Sequence, residues 1–273
     1  MPQLLCTVHT CHLPLAFEER RAVCPRGHSF DIARSGYINL LQPQDRRSRQ
    51  PGDSSEAVAA RRRLFDRGIF KPIDHAIAGM IRGDDILDVG CGEGHTLGVM
   101  SGGGQAPSLV DRGDEGADRR GRLSSTGLCG VDISLPAIEA AARRYPSHEW
   151  IIANADRFIP YAESSFDVVL SITARLNAIE FQRVIRDDGL LVVVIAGPDD
   201  LVELRGRTRD RVERTIAMFA PYFALERHER IAFHASLDRE ALRDLVISTY
   251  RPKRMRDVDS VTMSRDLLLF RPS

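Results

Sequence analysis

Apolar and polar positions follow two different patterns along the chain. From about residue 73 onward, short apolar runs alternate with segments of helical periodicity. "DILDVGCGEG" reads as a buried strand entering a glycine turn, and "GLCGVDIS", "EWIIANAD", "FDVVLSIT" and "GLLVVVIAG" read as four more strands. Near-continuous apolar strands of this kind belong to parallel sheets covered on both faces. Helical stretches such as "LPAIEAAARRY" and "AIEFQRVIRD" fall between them, so the predicted class is α/β with a doubly wound, mostly parallel sheet. "SVTMSRDLLLF" predicts a closing strand.

Upstream the pattern is different. Residues 1–42 are dense in Cys, His and turn residues and end in a short strand, "YINLL". Residues 43–72 begin as a polar, basic linker and become a helix, with Ser54 or Ser55 as N-cap and Gly68 as its stop. The predicted organisation is therefore a small domain at 1–42, a basic linker and helix at 43–72, and the main domain at 73–273. Within the last, 101–127 is rich in Gly, Ser, Asp and Arg without apolar periodicity, and reads as an inserted, flexible surface loop.

Composition narrows the class. With 38 basic against 38 acidic residues the chain carries no net charge, which argues against non-specific coating of nucleic acid while leaving room for a local basic patch. No apolar run reaches membrane-spanning length and no secretory signal opens the chain, so the expected location is cytoplasmic, without a membrane partner. Three of the 5 cysteines lie in the first 24 residues. In a reducing compartment such clustering favours metal over disulfides. Cys6, Cys11, Cys24 and His28 form two pairs of ligands suited to tetrahedral zinc, although the four residues between Cys6 and Cys11 leave His9 open as the fourth ligand. A segment with so few large apolar side chains needs such a staple to fold.

"LDVGCGEGHT" sets Gly90, Gly92 and Gly94 directly after a strand and before a helix, where the backbone can approach a cofactor closely. Asp88 precedes the turn. Asp132, with Ile133 beside it, ends the next strand, where a carboxylate can accept both hydroxyls of a ribose. Asp132 stands 44 residues beyond Asp88 (132 − 88) rather than about 20, and the inserted loop accounts for the excess. This glycine spacing, followed by "NADRFIPYAESSFDVVLS", resembles the S-adenosylmethionine-dependent methyltransferases, with a Rossmann-like class I domain. That resemblance implies that Asp156 lies near the adenine.

"CHLPL", "VCPRGHSFDIARSGYINLL" and "RRSRQPGDSSEAVAARRRLFDRGIFKPI", followed by "ILDVGCGEGH", resemble the 23S rRNA guanine-N1 methyltransferases, which include enzymes of macrolide resistance. The resemblance implies Zn2+ and S-adenosylmethionine as cofactors, a 23S rRNA hairpin as partner, and a homodimer. It carries Cys11, Cys24 and His28 onto zinc ligands and Gly92, Glu93 and Phe70 onto donor contacts. It places Asp200 near the donor, as a candidate proton acceptor. Arg46, Arg47, Arg49 and Arg61, with Arg62 and Arg63, are the expected RNA contacts. Three features depart from the family. Val8 stands where the family's first zinc pair has its first cysteine, Thr173-Ala174-Arg175 replaces an aromatic-Ala-Pro turn on the acceptor side, and "STYRP" (248–252) replaces a "TPF"-like turn. These departures keep two alternatives in view, a methyltransferase for a small molecule and an inactive RNA-binding relative.

Overall fold

The computed structural model describes residues 2–46, 48, 50–102, 127–249 and 258–273. The inserted loop expected at 101–127 therefore lies almost wholly outside the described residues.

Eight strands form one sheet. In chain order they are β4 (Ile38–Asn39), β5 (Ile86–Val89), β6 (Leu128–Asp132), β7 (Glu149–Ile152), β8 (Phe166–Ile172), β9 (Ile185–Ala196), β10 (Phe223–Ser236) and β11 (Ser260–Pro272). Their spatial order is β10-β11-β9-β8-β5-β6-β7-β4. The strands from β9 to β4 pair in parallel, and β11 and β10 close the other edge in antiparallel fashion. All five strands read from the apolar runs, and the closing strand, are present. β10 was not anticipated. Its "LERHER" run hides the strand pattern, because an edge strand with exposed charges discourages further pairing at the cost of a recognisable alternation.

The strand residues alternate between two cores, as the pleat requires. Leu87, Val89, Val131, Ile151, Val169, Leu191 and Val193 face one side, with α5 (Ala178–Val184) and α7 (Val212–Phe219) packed there. Ile86, Leu128, Trp150, Ile152, Val168, Leu170 and Val192 face the other, beneath α2 (Lys71–Met80), α3 (His95–Met100) and α4 (Leu135–Arg144). A third cluster joins α1 (Ser55–Asp66), α6 (Val202–Arg205) and α8 (Arg239–Ser248) to the start of β11.

The N-terminal segment is built onto this sheet. β1 (Ala16–Glu18), β2 (Arg21–Val23) and β3 (Ser29–Asp31) form a small antiparallel sheet of their own. Ile38 and Asn39, from "YINLL", pair in parallel with Ile151 and Ile152, so β4 lengthens the large sheet by one strand. Leu4 bridges to Tyr161, and Leu4, Leu15, Phe30 and Leu40 share a core with Val131 and Ile151. α1 begins as expected, with the Ser54 hydroxyl accepting from the Ala57 N–H at 3.2 Å, and stops at Gly68, whose φ of +72° favours glycine.

Candidate donor and metal sites

Two tight turns bring the N-terminal ligands together. In one, Cys11 N–H donates to Val8 O and His12 N–H to Cys6 O. In the other, between β2 and β3, Cys24 N–H donates to His28 O, and Gly27 closes the turn at φ +82°. The Cys6 Sγ and Cys24 Sγ atoms lie 3.3 and 3.4 Å from His28 Nδ1, and Cys11 Sγ lies 3.9 Å from Cys24 Sγ. All four ligand atoms fall within 4.8 Å of one another. A tetrahedron with metal–ligand bonds of about 2.0–2.3 Å has edges of about 3.3–3.8 Å, so the set fits zinc. Burial, with Cys11 and Cys24 alongside, pushes the Cys6 thiol up to about 12. His9 is exposed and lies outside the cluster, whose fourth member is Cys6.

The glycine loop joins β5 to α3. Gly90, Gly92 and Gly94 all have positive φ, at 78°, 56° and 76°. A Cβ at Gly90 would stand 2.4 Å from the Ala174 Cβ, and one at Gly94 would stand 2.3 Å from the Trp150 ring. A Cβ at Gly92 would meet only Arg61 Nη1, at 3.6 Å, so the loop leaves open space there. Gly92 N–H donates to Asp132 Oδ2 at 3.0 Å and Ser134 N–H to Oδ1 at 2.8 Å, which fixes the acidic end of β6 against the loop. Ile133 beside it is partly buried against the core.

Acids dominate this site. Asp88 Oδ1 and Glu93 Oε1 are buried without a hydrogen-bond partner. Burial, and then the charge of Asp132, push Asp88 up to about 7. Burial also raises Glu93, against the pull of Arg61. Unpaired buried carboxylate oxygens are costly, and a ligand carrying an ammonium and a sulfonium would relieve them. The chemistry of the loop therefore fits S-adenosylmethionine.

The remaining expected residues divide. Phe70 sits at the N-terminus of α2, its ring 4.9 Å from Phe65, which in turn stacks on His95 at the start of α3 at 3.7 Å. Asp156 follows β7, its N–H donating to Asn154 Oδ1, and Arg175 approaches its carboxylate at 3.4 Å. Asp200 requires a correction. Its Oδ2 accepts from Arg205 Nη2 at 2.6 Å, and its Oδ1 accepts from Ser264 N–H at 3.0 Å and pairs with Arg265. A carboxylate paired with two arginines ties β11 to the loop after β9.

Arg61 is likewise redirected. Expected on RNA, it is held at 2.7 Å by Asp53 and faces Glu93 in the donor site. Arg62 donates to Glu93 O, and Arg63 makes a bidentate pair with Asp244. Arg46 is exposed, whereas Arg47 and Arg49 lie outside the described residues. The closure of the linker onto the donor site, with Ser134 Oγ donating to Asp53 O at 2.9 Å, had no signal in the sequence because the partners are 81 residues apart.

A Rossmann-like sheet with an acidic second-strand end, a three-glycine turn and a fused Cys3His cluster defines a class I methyltransferase carrying a zinc ribbon, with S-adenosylmethionine and Zn2+ as its cofactors. The family models agree: residues 5–49 match the zinc ribbon described as "RlmA, N-terminal", and 87–193 match a methyltransferase domain. The chain is 32% identical to the 23S rRNA (guanine(748)-N(1))-methyltransferase of Streptomyces fradiae, over 85% of this chain and 80% of that protein. It is also 32% identical to a Bacillus subtilis protein provisionally named a 23S rRNA (guanine-N(1)-)-methyltransferase, over 82% and 77% of the two chains. Among solved structures, a TehB-like S-adenosylmethionine-dependent methyltransferase from Corynebacterium glutamicum aligns at 18% identity over 80% of this chain and 98% of that one, with a TM-score of 0.43. The chain belongs to the 23S rRNA (guanine-N1)-methyltransferase family.

Proposed function

We propose that this protein transfers a methyl group to N1 of a guanine in a 23S rRNA hairpin. The observation that carries the reading is the continuity of the zinc ribbon with the donor site in one sheet: β4 leaves the ribbon and pairs with β7, next to the strand that ends at Asp132. When bound, S-adenosylmethionine supplies an electrophilic methyl for an in-line displacement, so the protein's work is positioning and exclusion of water. Asp132 would accept the ribose hydroxyls, Asp156 would lie at the adenine, and Asp88 and Glu93 would hold the ammonium. Phe70 would pack against the donor.

With Arg61 and Arg62 turned toward the glycine loop and Arg63 paired with Asp244 at the surface, we assign RNA contact to other groups. Arg46 and the linker remain. A cleft of about 540 Å³ between ribbon and sheet adds His12, Arg157 and Phe158. There His12 stacks on Phe158 at 3.9 Å, with the Arg183 guanidinium 4.7 Å from the same ring. Such a stack, open at an exposed imidazole, suits the unpaired bases through which RNA is read. A base paired in the hairpin must be exposed before N1 can reach the methyl group. The family resemblance extends the proposal to a cytoplasmic homodimer.

Incubation of the zinc-loaded protein with labelled donor and unmodified 23S rRNA tests the reading. Label in the RNA, and a primer-extension stop at one guanine that depends on the protein, are expected. Turnover without label in RNA would overturn it.

A further inference from the structure

Arg61 projects from α1 into the mouth of the donor site. Its Nη2 pairs with Asp53 Oδ2 at 2.7 Å and donates to Ser248 O at 3.2 Å. Its Nη1 points the other way, 3.6 Å from Glu93 Oε2 and 3.6 Å from the open position above Gly92. One side of the guanidinium is thus anchored, and the other faces the cradle at longer than hydrogen-bond range.

The surroundings give that arrangement a purpose. Asp53, Asp88, Glu93 and Asp132 crowd the glycine loop, and two of their oxygens are buried without partners. The amino-acid end of S-adenosylmethionine carries both an ammonium and a carboxylate. The acids suit the ammonium, but they would repel the carboxylate wherever they are ionised unless a cation meets it. We infer that Arg61 Nη1 clamps the donor's carboxylate while Asp53 orients the guanidinium from behind. This rests on the reading of the glycine loop as the methyl-donor site. Arg61 then makes the site selective for donors that keep their carboxylate, and the Gly52–Asp53 turn becomes part of the donor pocket through Asp53.

The test is calorimetric binding to the full, zinc-loaded chain of three ligands: S-adenosylmethionine, S-adenosylhomocysteine and decarboxylated S-adenosylmethionine. The wild-type protein should prefer the intact donor to the decarboxylated one by roughly 10- to 100-fold, the range of one charge-assisted hydrogen-bonded contact. Arg61→Met should lose a similar factor for the two carboxylate-bearing ligands. It should bind the decarboxylated ligand as well as before or more tightly, because a positive charge has left the ammonium's surroundings. Arg61→Lys should recover part of the loss. Equal wild-type affinity for the intact and decarboxylated donors would overturn the clamp whether or not any variant folds. So would an equal loss of all three ligands in Arg61→Met. A wild-type protein that binds none of the three would overturn the donor-site reading itself, and the clamp with it.

Discussion

Asp88 lies one residue before the end of β5 with one carboxylate oxygen buried and unpartnered, and burial lifts it from 3.8 to about 7. Between those values the folded state keeps a proton that the unfolded chain has released, so this contribution to stability is intact below about pH 4 and is lost as the pH rises through 7. The ceiling for one such carboxyl is on the order of 4 kcal/mol. Glu149, buried against Tyr161 and also raised to about 7, acts with the same sign. The melting temperature of the ligand-free, zinc-loaded protein should therefore fall between about pH 4 and 7 and level off above, and Asp88→Asn should remove part of that slope. Donor affinity should move oppositely, tightening as the pH rises through 7, because a cationic ligand favours the ionised carboxylate. A second residue-scale expectation concerns Gly94. Alanine there would meet both the φ of +76° and the Trp150 ring at 2.3 Å, so Gly94→Ala should lower the melting temperature and abolish donor binding in the same calorimetric assay. At the metal, Cys6→Ser should lose bound zinc while His9→Ala retains it, read by metal analysis of the purified proteins.

At the scale of elements, α1 is where expectation and structure differ most. The sequence marks its ends well, since caps and stops act within a few residues. It says nothing about what the arginines of "ARRRLFD" meet, because each partner comes from elsewhere in the chain. Arg63 reaches Asp244 on α8, a carboxylate that is 2% exposed. Removing the guanidinium alone leaves that charge buried and unpaired, whereas removing both partners does not. Arg63→Met should therefore destabilise the protein more than the double variant Arg63→Met with Asp244→Leu, by chemical denaturation at constant m-value. β10 teaches the converse point. Its exposed charges suit an edge strand, and only its pairing with β11 identifies it as a strand at all.

For the molecule as a whole, the ribbon and the methyltransferase sheet share one core, joined by the β4–β7 pairing and by Leu4, Leu15 and Leu40. Zinc should therefore matter beyond its own turns. Chelation should lower the melting temperature of the full chain and weaken donor binding, while β7 loses its edge partner. Trp150, the chain's one tryptophan, lies on β7 beneath Gly94 and should report both events in its fluorescence. A chelated protein with unchanged donor affinity would show that the ribbon and donor site are energetically separate. No helix among the described residues is long and apolar enough to cross a membrane.

By itself the sequence determined the α/β class, five parallel strands, the glycine turn with Asp132, and a ligand set in which Cys11, Cys24 and His28 were secure. These signals are local, carried by hydrophobic period, turn chemistry and short ligand spacings. Tertiary structure decided what depends on distant partners. It grouped Cys6 rather than His9 with the other three ligand candidates, turned Arg61 toward Glu93 and the glycine loop, and closed Asp200 between Arg205 and Arg265. It also joined "YINLL" to the large sheet. A buried charge takes its role from the groups that fold against it, and no periodicity along the chain encodes those.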